Sequence, residues 1–293
     1  MTTLINADLR KRSEIISDYG PLIWNIQSEE FAASEIGFAP SLPVELKSLR
    51  FHREDLTNGS WSLGNSICSQ QAAAPGVEMA ARYLPAKGVS GDYCDLLPLG
   101  EGQIGLVVGD ACGRGIGAAR LMASVCVNLR ARIQACSTAG DLLGQLNRVL
   151  CRDTPDNQFV TFMYGTWNVD SRTFTYSHAG HPPVLHYQSA TGCVDELSVG
   201  GMVLGVCEDV EYPTGSMSLC TGDALVLYTD GITEAVNAYD EVFGIHRLTE
   251  VVAAHGEESS EALATAILDG ASDFTHRGWE DDATVMVVKM IGT

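Results

Sequence analysis

The residues best suited to chemistry are aspartates that stand at the ends of apolar runs. Asp110 ends the run Gly105-Leu-Val-Val-Gly109 and is followed by Ala111, Cys112 and three closely spaced glycines, Gly113, Gly115 and Gly117. Asp230 ends a second run over residues 224–229 and is followed by Gly231, while Asp281 and Asp282 stand just before a third. Asp92 and Asp95 share the stretch Ser90-Gly-Asp-Tyr-Cys-Asp95. A carboxylate where a buried strand leaves the core is held in place and still reaches solvent, so several such strands can bring their acids to one end of a sheet core. Hard divalent ions such as Mg²⁺ and Mn²⁺ take carboxylates, carbonyls and water, and aspartates in glycine-rich surroundings supply that donor set. Zinc suits the sequence poorly. No paired His or Cys ligand spacing occurs, and His178 and His181 lie in a proline-bounded turn, where their expected role is structural or one step removed from a metal.

With two ions close together and one aspartate between them, a shared water loses a proton near neutral pH and attacks an electrophile in line, which is the requirement of phosphoryl transfer. Other catalytic patterns are missing. Gly113-Arg-Gly115-Ile-Gly117 lacks the Lys-Ser/Thr ending of a phosphate-binding loop, the glycine spacing does not match G-x-G-x-x-G, and no G-x-S-x-G offers a serine nucleophile.

Composition narrows the partners. The chain has 293 residues and a formal charge of −19, which argues against duplex nucleic acid or an anionic membrane as its main partner. Bound ions neutralise phosphate oxygens locally, so the overall charge leaves a phosphorylated substrate open. Nine cysteines without a C-x-x-C pair suggest reduced thiols. The first residues lack a signal-peptide core, and no uncharged apolar run reaches the ~18 residues of a spanning helix. A cytoplasmic protein is expected.

The elements that must carry these acids can be read from periodicity. Residues 1–75 are expected to form a mostly helical N-terminal appendage, with helices over 7–19 and 22–36, a basic triplet at Arg10 to Arg12 and a polar linker over 60–75. Residues 76–293 form the second domain. Its expected strands cover 77–84, 104–109, 159–169, 173–177, 184–187, 224–229 and 284–289. Its expected helices cover 116–134, 139–151, 244–255 and 259–276, with a loop-rich stretch after Gly200-Gly201. Strands, a helical pair, strands and helices again imply an α+β sandwich, without regular βαβ alternation.

At these motifs the chain resembles the SpoIIE-type branch of the metal-dependent protein serine/threonine phosphatases, the PPM or type-2C family. Ser90-Gly-Asp-Tyr-Cys-Asp95 resembles the family's Gly-Gly-Asp-x-x-Asp motif, and Gly109-Asp-Ala-Cys-Gly-Arg-Gly115 its Gly-Asp-x-x-Gly-x-Gly segment. Phe159-Val-Thr-Phe-Met-Tyr-Gly165, Ala179-Gly-His-Pro-Pro183, Leu225-Val-Leu-Tyr-Thr-Asp-Gly-Ile-Thr-Glu-Ala235 and Asp281-Asp-Ala-Thr-Val285 follow in family order. The resemblance implies a central β-sandwich flanked by helices, in α-β-β-α layers, and two Mn²⁺ or Mg²⁺ ions. It implies Asp110 as the bridging ligand, the backbone carbonyl of Ala111 on the second ion, Asp230 and Asp281 on the first, and Asp92 near the second, directly or through water. Asp95 and Asp282 are secondary ligand candidates. Arg82, Lys87 and Arg114 are the candidates for holding substrate phosphate, since the family's phosphate-gripping arginine has no clear counterpart. Ser90 in place of glycine, Ala111-Cys112 in place of Val-Ser, and Arg120 in an otherwise apolar helix start depart from the family pattern. The implied activity is hydrolysis of phosphoserine or phosphothreonine on a regulatory protein of the STAS anti-sigma-factor-antagonist type, with residues 1–75 serving a homodimer or regulator contact. Two other readings stand beside it: a weakly catalytic, metal-stabilised partner-switching module, and a metal-dependent phosphodiesterase.

Overall fold

The structure, a computed structural model, describes residues 30–32, 50–52, 76–84, 86, 90–100, 102–155, 157–275 and 278–292. The expected helix 7–19, the basic triplet, the linker 60–75 and Lys87 lie outside the described residues. Two compact units divide the chain, Met1–Asn58 and Gly59–Thr293. In the first, strand β1 (Glu30–Ala32) pairs antiparallel with β2 (Arg50–His52), Phe31 opposite Phe51. Residues 30–32 were expected inside a helix. A short apolar run does not distinguish helix from strand by periodicity, and here a pairing partner in the chain decides it.

In the second unit the chain runs through β3 (Val77–Leu84), β4 (Asp92–Gly100), β5 (Gln103–Ala111), α1 (Ile116–Arg132), α2 (Ala139–Asp153), β6 (Val160–Asn168), β7 (Thr173–Ala179) and β8 (Val184–Tyr187). It continues through β9 (Val194–Leu197), β10 (Gly200–Gly201), β11 (Gly215–Ser218), β12 (Ala224–Tyr228), a short α3 (Asp230–Thr233), α4 (Gly244–His255), α5 (Ser260–Phe274) and β13 (Ala283–Met290). One sheet has the order β10-β7-β6-β5-β4, with β11 also on β7, and the other the order β3-β13-β12-β8-β9.

Alternation along the strands builds the layers. Tyr93, Leu97, Val107, Val160 and Phe162 turn one face of the first sheet to Leu121, Val125, Leu129, Leu142 and Leu146 of α1 and α2. Val226, Tyr228, Val285 and Val287 turn the outer face of the second sheet to Leu248, Val252, Leu263 and Ile267 of α4 and α5. The remaining alternate residues, Leu106, Val108, Met163, Trp167, Leu225, Leu227, Met286 and Val288, meet between the sheets. Each sheet is therefore apolar on both faces, and four layers result. Helices α2 and α5 begin at side-chain caps, where Thr138 accepts from the Asp141 N–H and Ser259 from the Ala262 N–H. Helix α1 begins differently, at Gly115, with no side-chain cap and no acid in its first turn.

Among the described cysteines Cys112, Cys126, Cys136, Cys151, Cys193, Cys207 and Cys220 are free thiols, whereas Cys94 is disulfide-bonded, which departs from the expectation of uniformly reduced thiols. No described helix is long and apolar enough to cross a membrane.

Backbone approaches backbone closely where β12 passes into α3. A Cβ placed on Gly231 would overlap the backbone carbonyl of Asp282, and backbone cannot swing aside as a side chain can. Gly231→Ala is therefore expected to wedge the Asp230 segment from the Asp281-Asp282 segment and to lower stability by roughly 1–3 kcal/mol. Denaturant melts in the presence of a chelator read this; a melt unchanged from the parent protein contradicts the close approach.

Candidate functional site

The acids gather because of strand register. Asp92 on β4 lies directly opposite Asp110 on β5, and Asp110 lies opposite Thr161 on β6. Asp110 shares the inter-sheet face with Val108, and Asp92 shares it with Cys94. Across the gap, β12 ends at Tyr228 and delivers Asp230 as the first residue of α3, while Asp281 and Asp282 immediately precede β13. All of these carboxylates thus stand at one end of the sandwich.

Like charges directly opposite each other on paired strands repel, and burial removes the water that would screen them. Burial raises the Asp110 carboxyl to about 7, and the negative charges of Asp230 and Asp281 add to the rise, against a side-chain hydrogen bond with Asp92 that lowers it. Asp92, itself buried, is held well above the ordinary carboxylate range by burial first and Asp110 second. Burial also raises Asp230, with Glu234 and Asp281 adding to it. Glu234, which follows α3 directly inside the same motif as Asp230, is an acid of this cluster that was not among the expected ligands.

The donor set fits a hard divalent cation. A Cβ built on Gly91 would lie 2.8 Å from the Ala111 carbonyl oxygen and 3.2 Å from Asp110 Oδ1, so the missing side chain opens a cradle in which these two oxygens face the same point. A glycine there is a requirement of close approach. Among the described residues no three Asp, Glu, His or Cys side chains converge tightly enough to close a metal site by themselves. One reason is visible at Asp281, whose Oδ2 accepts from Arg114 Nη2 at 3.2 Å. Arg114 and Asp281 side chains are 62% and 48% exposed, so this pair is a weak one that other ligands can displace.

Not every expected residue belongs to the cluster. Asp95, three residues beyond Asp92 along a strand, points to the opposite face. There it is fully buried, accepts from Arg130 Nη2 of α1 and from the Tyr93 hydroxyl, each at 2.5 Å, and from the Leu96 N–H at 2.8 Å. It ties α1 to β4 and is corrected from ligand candidate to structural acid. Arg82 shares the outer face of β3 with Ala80 and Leu84, where it pairs with Glu261 of α5, and so is removed from the phosphate candidates. Asp282 Oδ1 accepts from the Ala86 N–H at 2.8 Å, which holds the chain after β3 against the end of the second sheet. His181 is buried, bonded through Nδ1 to the Thr161 hydroxyl at 2.9 Å, and burial lowers its pKa to about 3. It is a neutral ring beside the acids. Of the motif glycines, Gly113 and Gly115 have φ of 90° and 71° and make the turn around Arg114, whereas Gly117 lies inside α1.

Comparison with known proteins places this arrangement. The sequence profile of the Stage II sporulation protein E (SpoIIE) family matches residues 100–291. The phosphoserine phosphatase RsbU of Bacillus subtilis is 29% identical over 229 residues, which cover 78% of this chain and 66% of RsbU. The solved RsbU and RsbW domains of Rv1364c from Mycobacterium tuberculosis are 28% identical, with a TM-score of 0.65 over 74% of this chain and 60% of that one. The PP2C phosphatase domain of SpoIIE from B. subtilis, 19% identical, has the same fold, with a TM-score of 0.64 over 75% of this chain and 64% of that one. The chain therefore spans less than two thirds of each of these proteins.

The raised Asp110 pKa has a consequence for stability. Its folded value of about 7 lies above the ordinary 3.8, so between these values the folded state keeps a proton that the unfolded chain has shed. The metal-free protein accordingly loses stability as pH rises toward and through about 7. Asp110→Asn removes the charge without changing shape, and at about pH 8 it is expected to stabilise the chelator-treated protein by roughly 1–3 kcal/mol and to flatten the decline between pH 5 and 8. Melts of both proteins across that range check this. A variant less stable than the parent at pH 8 contradicts it.

Proposed function

The chain belongs to the SpoIIE family, and from that premise we propose that it is a metal-dependent protein phosphatase that hydrolyses phosphoserine or phosphothreonine on a regulatory protein. The observation that carries the reading is the rung of Asp92 and Asp110, buried opposite each other and facing Asp230 and Asp281 across the end of the sandwich. Such a cluster has no structural use for its charge. Uncompensated, it weakens the fold, and a divalent cation is the partner that turns it into a stabilising site.

Asp110 and the carbonyl of Ala111 are the proposed ligands on the first sheet, Asp230 and Asp281 those on the second, and Asp92 sits behind Asp110. Two Mn²⁺ or Mg²⁺ ions are proposed, and when bound they activate a water near neutral pH and neutralise phosphate oxygens. The residues of the chain perform the rest. The exposed Arg114–Asp281 pair is weak, so Asp281 would be available to hold an ion and Arg114 to meet substrate at the mouth of the site. Held between two glycines of positive φ, Arg114 would bind the non-bridging oxygens of the phosphoryl group, which a guanidinium suits. The start of α1 adds unpaired backbone N–H groups of favourable polarity on the same side. His181, neutral and buried, keeps Thr161 in place beside Asp110.

The similarity to RsbU and to the RsbU and RsbW domains of Rv1364c supports a partner-switching setting. The proposed substrate is a STAS-type anti-sigma-factor antagonist, with residues 1–75 receiving the activating partner or a second copy. A cytoplasmic location follows from such a substrate.

The proposal is tested with a phosphoserine protein of the STAS type. Release of phosphate should require added Mn²⁺ or Mg²⁺ and fall by at least about 100-fold in Asp230→Asn, the scale of losing an ion that stabilises developing charge. Arg114→Ala should raise KM with metal affinity unimpaired. Activity that survives both chelation and Asp230→Asn contradicts the assignment.

A further inference from the structure

Behind the acid rung lies a pair of hydroxyls, each inside a quoted motif that gives it no role. Thr229, the last residue before Asp230, and Thr284, on β13, both turn to the inter-sheet face and are 0% and 1% exposed. The Thr229 hydroxyl donates to Asp92 Oδ2 at 2.8 Å, and the Thr284 hydroxyl donates to the same oxygen at 2.6 Å. Thr229 Oγ1 is itself fixed, because it accepts from the Thr284 N–H at 2.9 Å. Its single proton therefore has one direction left, toward Asp92. Thr229 further donates its N–H to the Thr284 carbonyl at 3.0 Å, so the two residues form a closed unit on the second sheet that reaches across to the first.

From this geometry we infer that Thr229 and Thr284 are positioning residues for the metal centre: together they hold the Asp92 carboxylate across the sheets, with Oδ2 engaged and Oδ1 presented to the ion side of Asp110. The inference rests on the proposed metal site. Two donors on one carboxylate oxygen restrain rotation about the Cβ–Cγ bond more than either does alone, and partners one step removed from a metal set ligand orientation in this way. The unit also links sheet spacing to the site. Asp92 is anchored on β4, the threonines on β12 and β13, and Asp230 follows Thr229 directly, so the distance between Asp110 and Asp230 is set partly through these bonds. A purely structural role would ask only for shape, which valine reproduces. The proposed role asks for the hydroxyl, which serine reproduces.

That contrast is the test. Mn²⁺ binding to the full chain is measured by calorimetry and by electron paramagnetic resonance for the parent, Asp110→Asn, Thr229→Val, Thr284→Val, Thr229→Ser and Thr284→Ser, with folding followed by circular dichroism. Each valine variant is expected to bind Mn²⁺ about 10- to 100-fold more weakly, the range for losing a partner behind a metal ligand, and each serine variant within about threefold of the parent, since it keeps the donor. If one valine variant does not fold, the other reads the same carboxylate oxygen. Parent-like Mn²⁺ affinity in the folded valine variants, or equal losses in the serine and valine variants, overturns the role of the hydroxyls while leaving the metal site standing. A parent protein that binds no Mn²⁺, or binds it as well as Asp110→Asn does, overturns the metal site itself and this inference with it.

Discussion

The structure depends on a repulsion. Asp92 and Asp110 are placed opposite each other by strand register, in a region where burial already disfavours charge, and Asp230, Asp281 and Glu234 approach from the second sheet. Nothing in packing requires acids there. The apolar contacts between the sheets end at Val108, Leu227 and Met286, and a core built for stability alone would continue with similar residues. The cost of the acids is visible as an Asp110 carboxyl held near 7. A fold that keeps them has a use for concentrated negative charge, and a divalent cation is the ligand that this charge and these oxygens select.

Around this constraint the neighbouring elements take on meaning. The Asp95–Arg130 pair fixes α1 to β4 from the helix side, while the threonine unit fixes Asp92 from the opposite side. The strand that carries the rung is thus restrained on both faces. Gly91 and Gly231 do the complementary work of leaving room, one beside the Ala111 carbonyl and the other against the Asp282 carbonyl. Arg114, at the exposed mouth, is paired weakly with Asp281, the acid it would yield to an ion.

Much of this was legible in the sequence because its signals are local. The expected limits of β3, β8 and α4 agree with the structure, those of β13 and α5 differ by one or two residues at each end, and α1 starts as expected but ends two residues earlier. Strand β4 gives no strand signal in the sequence, because Asp92-Tyr-Cys-Asp-Leu-Leu-Pro-Leu-Gly100 mixes acids, a proline and a glycine and owes its extended form to pairing with β5. Strands β9 to β11 are short and carry few apolar residues, so they too give no strand signal in the sequence. Asp95 was grouped with Asp92 by motif, although alternation along a strand already separates residues three apart. The roles of Thr229, Thr284 and Gly91 depend on contacts between distant segments, which no spacing rule reveals.

The central claim is that the end of the sandwich is built around divalent cations, with Asp110 between them. Crystals grown with Mn²⁺ and measured at the manganese absorption edge test it most directly. The account predicts two anomalous peaks at the acid cluster, Asp110 in contact with both, Asp230 and Asp281 on one, the Ala111 carbonyl on the other, and Arg114 released from Asp281. Peaks confined to other parts of the surface, or a cluster that stays free of manganese at saturating concentration, would contradict it.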